Sequence, residues 1–323
     1  MDLSIIIPVY NGAKLLTRCL NSVFGQITHF SYEVIIVDDG SSDNSVDIVR
    51  DRNEKNIILL QQKNAGPATA RNRGVEVARG KYLAYLDADD YWDNGYIEKT
   101  VYFLDHHPDC VAVTVGQRIT NTKGTFLAPE EWVRTKKDFV IDNFYEEWAK
   151  FQFVGTCATT MTKQAVNNIG GQRLGMRSME DWNFWFRLAT QGRWGFLHDV
   201  LYVSDGSTTS MSNDAWLARM KNRWKNTPTV EEWQEDIVAL FPTNHVPIGY
   251  DKALSVIVRP MAYAHLLDGR FELSRRETLI YGKEFPKDSI GRLMNLCKKY
   301  RCLWICLCKM LRWREYHRYS VKG

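Results

Sequence analysis

Short apolar runs recur through the first hundred residues, and most close on a cluster of small or acidic polar residues. Ser4–Pro8, Glu33–Val37, Ile57–Leu60 and Tyr82–Leu86 are such runs, with little polar alternation inside them. Uninterrupted runs of this length suit parallel strands covered on both faces. Between them the period changes to that of a helix. Leu15, Leu16, Cys19, Leu20 and Val23 share one helical face, and Ser45–Arg52 follows an Asp-Asn turn. Ala68–Ala78 is rich in helix formers and stops before Gly80, the predicted C-cap. Strand and helix in alternation predict a doubly wound α/β sheet with helices on both faces.

Past Cys110 the pattern loosens. Val111–Val115 and Thr156–Thr162 predict two more strands, and Met179–Gln191 predicts a helix with Trp182, Trp185, Phe186 and Ala189 along one side. From Trp216 the chain reads as mostly helical, broken by Pro and Gly between 242 and 249. The expected organisation is therefore an α/β domain over 1–215, with halves 1–105 and 106–215, and a helical region over 216–323. Composition leaves this unchanged, since 45% hydrophobic and 25% charged residues are ordinary for a globular chain. No stretch reaches the ~18 apolar residues of a membrane span. The start, M-D-L-S-I-I-I-P, lacks a basic leader and reads as a first strand. Seven cysteines without a C-x2-C pair point to a reducing cytoplasm, away from a disulfide framework or a zinc site.

Charge does alter the picture. The net +4 divides into a tail of +8 from Lys287 onward and a body of −4. Within the tail, Leu293, Leu296, Tyr300, Leu303, Leu307 and Leu311 recur at helical spacing, among Lys298, Lys299, Arg301, Lys309, Arg312 and Arg314. With Trp304 and Trp313, this basic amphipathic tail (287–323) suits an anionic lipid surface. A helix docked on the body is the plain alternative. Nucleic acid competes for any basic patch, but nothing else in the chain supports it.

In an open parallel sheet, ligands bind beyond the carboxyl ends of the strands. Three polar clusters occupy those ends: Pro8-Val9-Tyr10-Asn11-Gly12, Asp38-Asp39-Gly40-Ser41-Ser42-Asp43 and Asp87-Ala88-Asp89-Asp90. Each is also ordinary turn chemistry. The third crowds three carboxylates into four positions, where like charges repel and burial is costly without a partner. Tyr10 suits stacking on a flat base, while Asp38 and Asp39 suit hydrogen bonds from a base imide or ribose hydroxyls. No G-x-G-x-x-G and no G-x4-G-K-[ST] follows the first strand. Arg71 and Arg73 offer planar forks for phosphate, or a solvated helix face.

Together I-I-I-P-V-Y-N-G, V-D-D-G-S-S-D, N-A-G-P-A-T-A-R-N-R-G and Y-L-D-A-D-D, in this order over residues 4 to about 100, resemble the GT-A fold family 2 glycosyltransferases. The resemblance implies a Rossmann-like, mostly parallel sheet and a UDP-sugar donor. It implies that Pro8, Val9, Tyr10 and Ala88 line the nucleotide pocket. Asp39 would bind the uracil edge with Asp38 in support, and Arg71 would reach the base or diphosphate. Asp87 and Asp89 would form the D-x-D pair, with Asp89 the direct ligand of Mn2+ or Mg2+ and Asp87 nearer the ribose; Asp90 is expected to cap the next turn. A hard cation with oxygen ligands relieves carboxylate repulsion and offsets charge on the diphosphate leaving group.

Ser178-Met-Glu180-Asp181-Trp182 resembles the family's Glu-Asp motif, which implies Asp181 as general base, with Glu180 orienting it or binding the acceptor. The bland reading is two acids complementing a helix dipole. Trp182 and Trp185 suit packing on a sugar ring, or core. Gln191-Gly-Arg-Trp194 falls one residue short of the Gln-x-x-Arg-Trp run of polymerising members, which favours single-sugar addition. One departure stands out: Tyr202 to Ser212 contains no His where the family often has a metal-assisting one, and Asp205 is the substitute on offer.

The expected function is inverting, metal-dependent transfer of a sugar to a glycan or lipid-linked glycan for a bacterial surface polysaccharide, at the inner face of the cell membrane. A sugar-phosphate nucleotidyltransferase is the first rival, though it would carry a Gly-rich, Arg-containing loop after the first strand. A catalytically inactive binder of nucleotide or glycan is the second.

Overall fold

The computed structural model describes residues 1–121, 124–176, 178–205, 213–242, 245–282 and 289–320, with the backbone alone for 121, 205, 213–216 and 318–320. The chain forms two compact units. The first comprises 1–144, 151–174 and 184–208, and the second 145–150, 175–183 and 209–323.

Ten strands form the sheet of the first unit: β1 (Leu3–Val9), β2 (Tyr32–Asp38), β3 (Ile57–Gln61), β4 (Tyr82–Tyr85), β5 (Tyr91–Trp92), β6 (Cys110–Asn121), β7 (Gly124–Ala128), β8 (Phe139–Ile141), β9 (Thr159–Thr162) and β10 (Arg193–Asp205). Their order is β3-β2-β1-β4-β9-β6-β10-β5, with β7 on β6 and β8 on β10. The strands β3-β2-β1-β4 are parallel; β9 runs antiparallel to both neighbours, and β10 returns parallel to β6. The chain builds outward through β2 and β3, then places β4 on the other side of β1. That reversal is a topological switch point, where neighbouring loops part and leave a crevice.

The apolar runs form strands because both faces are covered. Leu3, Ile5, Ile7 and Val9 join one core with Leu16, Cys19, Leu20 and Val23 of the helix Ala13–Phe24 and with Ile97, Val101 and Leu104 of the helix Tyr96–His106. Ile6 points the other way, toward Gly74 of the helix Pro67–Val77, where a Cβ on the glycine would stand 2.4 Å from the Ile6 side chain. β3 departs from the expected double cover: it is the edge strand, with Ile57 to Leu60 half-buried and Gln61 exposed.

Gly80 is not the C-cap that spacing predicts. The helix Pro67–Val77 is capped by Ala78 in extended conformation, and the Gly80 N–H donates to Ser4 Oγ at 2.8 Å. Ser4 in turn donates to the fully buried Glu33 at 2.7 Å, whose carboxylate also accepts from Arg79 N and Nε at 2.7 and 2.8 Å. A carboxylate inside the sheet is thus paired and hydrogen-bonded, as burial demands. Its network ties β1, β2 and the approach to β4.

The second unit is helical, as the sequence leads one to expect: Asn213–Lys225, Val230–Val238, Tyr250–Asp268, Phe271–Ile280, Ser289–Cys297 and Arg301–Ser320. Thr229 and Glu232 form a reciprocal capping box at the second of these. Trp233, Ile257, Val258 and Trp304 are fully buried there. Among the described residues no helix is long and apolar enough to cross a membrane, and none of the seven cysteines is in a disulfide.

A Cβ at residue 80 would lie 2.5 Å from Ser4 N and 2.6 Å from Leu3 C, both backbone atoms that cannot step aside. Gly80→Ala is therefore expected to destabilise the fold by about 1–3 kcal/mol, measured by urea denaturation. Wild-type stability in that variant would refute the close-approach reading.

Candidate active site

The three polar clusters emerge where the switch point predicts, beyond the ends of β1, β2 and β4. The first two loops are stitched together. Asn11 N donates to Ser41 Oγ, Gly12 N to Ser45 Oγ, and Ser42 N to Asn11 Oδ1, at 2.8–3.0 Å. Asn11 itself adopts φ 52°, a left-handed conformation that Asn tolerates better than most residues. Beside it Pro8 and Val9 close the strand, and Tyr10 lies 56% exposed, free to offer a ring face.

Asp38 and Asp39 are buried, and both are engaged by backbone. Asp38 Oδ1 accepts from Ser41 N at 3.2 Å. The Asp39 carboxylate accepts from Gln62 Nε2, Ala65 N and Gly66 N, each at 2.8 Å. It thereby shapes the turn that launches the helix Pro67–Val77. Gly66 is required there, since its φ of 92° lies in the left-handed region that side chains disfavour. A carboxylate accepts about four hydrogen bonds, so Asp39 keeps capacity for a ligand donor.

The acidic loop after β4 is gripped from several sides. Arg71, 5% exposed, pairs with Asp87 Oδ1 at 2.6 Å and lies over the Tyr85 ring at 5.7 Å. The backbone is held by Asp87 N to Cys157 Sγ at 3.2 Å and by Arg18 Nη2 to Asp89 O at 2.6 Å. Arg73, by contrast, donates to Gln61 O and takes no part in the cluster. Ala88 packs beside Gly12, and Asp89 is exposed.

Asp90 does not cap the next turn. It is 8% exposed and accepts from Tyr202 Oη at 2.6 Å, a partner in β10 far along the chain. Burial pushes its carboxyl up to about 7, the charges of Asp87 and Asp89 push the same way, and the Tyr202 hydroxyl opposes them. Oxygen atoms of Asp87 and Asp90 and the Cys157 sulfur all lie within 4.8 Å of one another. Burial holds the Cys157 thiol well above its ordinary range, so it stays protonated and is no ligand for a hard cation. Asp87 and Asp90 bring together carboxylate oxygens, the donors that a divalent ion such as Mn2+ or Mg2+ prefers, and that pair fits one. Of Asp205 only the backbone, at the end of β10, is described, and the Ser- and Gly-rich stretch after it lies outside the described residues.

Asp181 and its neighbours belong to the second unit. They open the helix Glu180–Leu188 directly after Met179, whose φ of 63° is strained for a side chain of its size. Trp233 Nε1 donates to Met179 O at 3.0 Å and Asn183 Nδ2 to Trp233 O at 2.9 Å, so the strained turn is pinned. Glu180, Asp181 and Trp182 line a cavity of about 390 Å3 together with Arg223, Arg259 and Tyr263. Trp182 meets Trp148 edge-on at 5.3 Å and stays half-exposed to that cavity. Trp185 differs from expectation. At 1% exposure, edge-on to Phe184 and Trp194, it is a core side chain with no surface for a sugar.

Sequence reasoning passed over Arg18, Cys157 and Met179, and it noted Tyr202 only as the start of a stretch without His. None carries a motif. Arg18 lies off the face of Leu16, Cys19, Leu20 and Val23 that the helix Ala13–Phe24 buries, so periodicity does not mark it either.

A family model described as glycosyl transferase family 2 matches residues 4–170. An uncharacterised glycosyltransferase of Rickettsia felis is 30% identical over 227 residues, 68% of this chain and 36% of the relative. The Bacillus subtilis protein TuaG, a putative teichuronic acid biosynthesis glycosyltransferase, is 27% identical over 68% of this chain and 84% of its own length. This chain spans 18% to 36% of the length of four of the curated glycosyltransferases that it matches. Among solved structures, residues 1–349 of Staphylococcus aureus TarS superpose with a TM-score of 0.61 at 21% identity, covering 98% of this chain and 92% of that one. TarS has also been solved with UDP-GlcNAc.

Asp90 supplies a pH test. Its ordinary carboxyl value is 3.8, so its neutral form favours the fold; that contribution is whole below about pH 4 and falls away as pH rises through about 7. In metal-free buffer Asp90→Asn should melt progressively higher than wild type as pH rises from 4, with the gap levelling off above 7. Thermal melts across pH 4–8.5 check this, and a gap that is flat or reversed in sign contradicts it.

Proposed function

The chain belongs to glycosyl transferase family 2, and on that premise we propose that it moves a sugar with inversion from a UDP-sugar to a glycan or lipid-linked glycan acceptor, in a metal-dependent reaction. The observation that carries this reading is the acidic loop beyond β4, where oxygens of Asp87 and Asp90 lie within 4.8 Å of each other, Arg71 pairs with Asp87, and the exposed Asp89 stands between them in sequence. Three carboxylates held side by side are costly unless a cation joins them.

The chain's own residues divide the work. Tyr10 stacks on the uracil, whose edge Asp39 reads while its other bonds keep the turn at 64–66 in place. Pro8, Val9 and Ala88 shape the floor of that pocket, and Asp38 supports its wall. Arg71 fixes the Asp87 carboxylate, so Asp87 is oriented before the donor arrives. Asp89, exposed, and Asp87 would hold a Mn2+ or Mg2+ ion, which when bound would offset the charge building on the diphosphate. Asp181 takes the proton from the attacking acceptor hydroxyl, with Glu180 beside it and Trp182 as an apolar face for the acceptor ring.

The putative role of TuaG in teichuronic acid biosynthesis supports a bacterial surface polysaccharide as the destination, and the UDP-GlcNAc held by TarS supports a UDP-sugar as the donor. The enzyme adds single sugars and works as a peripheral protein at the inner face of the cell membrane.

Screening a panel of nucleotide sugars with and without Mn2+ tests the reading. UDP binding without transfer or hydrolysis of any donor would instead mark a binding protein. Formation of a nucleotide sugar from a sugar phosphate would mark a nucleotidyltransferase. Asp181→Asn is expected to lower the transfer rate by roughly 10²–10⁴-fold while leaving UDP affinity unchanged, and normal turnover in that variant would remove Asp181 from the role of base. Asp89→Asn should abolish the Mn2+ dependence of UDP binding, measured by calorimetry, and an unaltered dependence would move the metal elsewhere.

A further inference from the structure

The tail does not present the single apolar stripe that its spacing suggests. In the helix Arg301–Ser320, Trp304, Leu307, Cys308 and Leu311 are buried, and Trp304 Nε1 donates to Phe271 O at 3.0 Å. This is the docked face. The opposite face should then be polar, as on an ordinary surface helix. Instead Cys302, Leu303, Cys306, Met310 and Trp313 are exposed along it, with Trp313 at 63%. The preceding segment extends the same surface chemistry with Leu296 at 71% and Tyr300 at 60% exposed. A helix that already docks one apolar face and still exposes a second apolar row leaves open more than an ordinary surface helix does, so the outward row calls for an occupant.

Its charge identifies that occupant. Arg301, Lys309 and Arg314 flank the apolar row and are exposed, with Arg301 Nε donating to Glu272 at 2.6 Å and Arg314 Nη2 to Glu315 at 3.2 Å. At the row's near end, Arg275, Lys299 and Arg301 line a shallow basic hollow whose wall includes Tyr300 and Cys302. Arg275 Nη2 donates to Lys299 O at 3.2 Å, which fixes the guanidinium at the hollow's edge. Apolar side chains for acyl chains, an aromatic at each end and cations set for phosphate together match one chemistry.

We propose that this outward face, formed by Tyr300, Leu303, Met310 and Trp313 with the hollow of Arg275, Lys299 and Arg301, docks the protein on an anionic phospholipid surface, with lipid phosphates in the hollow. The inference rests on the reading of the enzyme as peripheral and deepens it by assigning the contact. Leu307 and Leu311 are excluded from that contact because they hold the helix to its own unit.

The test is sedimentation of the full chain with vesicles of phosphatidylglycerol or of phosphatidylcholine, at low and high salt. Binding to the anionic vesicles and its weakening by salt are expected. Leu303→Glu with Trp313→Glu should weaken it by about tenfold or more, with circular dichroism unchanged because both side chains are already exposed. Arg275→Glu with Lys299→Glu should weaken it by a similar factor and reduce the salt dependence. Equal binding to both vesicle types, or none to either, overturns the proposal. So does a concentration-dependent dimer, seen by light scattering, that the Leu303 and Trp313 changes dissolve, since the face would then serve a second copy. No donor is needed in these experiments. UDP binding and turnover without vesicles report separately on the glycosyltransferase reading, so either can fail alone.

Discussion

Three carboxylates held within one turn of chain set the terms for the first unit. Asp87, Asp89 and Asp90 cannot all be charged, buried and unaccompanied, and the protein answers each differently. Asp87 receives the Arg71 guanidinium, Asp89 stands at the exposed surface, and Asp90 is buried beside Tyr202 with its carboxyl pushed up to about 7. These answers draw on elements distant in sequence: the helix Pro67–Val77 supplies Arg71, β10 supplies Tyr202, and Cys157 precedes β9. The sheet order that puts β4 beside β1, with β9 next, brings them together.

Much of this fold was legible in the sequence because its strands are covered on both faces. A buried parallel strand writes itself as an unbroken apolar run, and Leu3–Val9, Tyr32–Asp38 and Tyr82–Tyr85 appear within a residue or two of where those runs lie. Short antiparallel pieces such as Tyr91–Trp92 and Phe139–Ile141 leave no such mark, since two or three residues carry no period. Gly80 misled for a related reason. A glycine after a helix reads as a cap, whereas this one is small because the Ser4 backbone passes against it. Local pattern cannot register a contact made 76 residues away.

The candidate site divides along the same line. Motif positions were readable because their residue types stand in a fixed order directly after the strand runs. Partners of those positions were not, because a partner needs only the right atom at the right distance. Tyr202 lies 112 residues from Asp90 and carries no signature of its own. Trp185 shows the converse error: an aromatic one turn from Trp182 fits a sugar platform on spacing alone, and only burial places it in the core.

The tail carries that argument furthest. Helical spacing gathered Leu293, Leu296, Tyr300, Leu303, Leu307 and Leu311 into one apolar stripe, as the periodicity of a single face would require. A helix with apolar residues on two faces satisfies the same spacing, and periodicity cannot separate the cases. Packing does. The helix Arg301–Ser320 gives Trp304, Leu307, Cys308 and Leu311 to its own unit and leaves Leu303, Met310 and Trp313 outside, flanked by cations. Those three are still about half exposed, and burying the rest of each would recover roughly 1 kcal/mol or more, a gain that the fold itself does not collect. Natural surfaces rarely leave so much unclaimed without a use for it. In the docking proposed for this face, the surrounding charge is the feature that favours a phospholipid surface over another protein of similar hydrophobicity, because an apolar row alone would accept either.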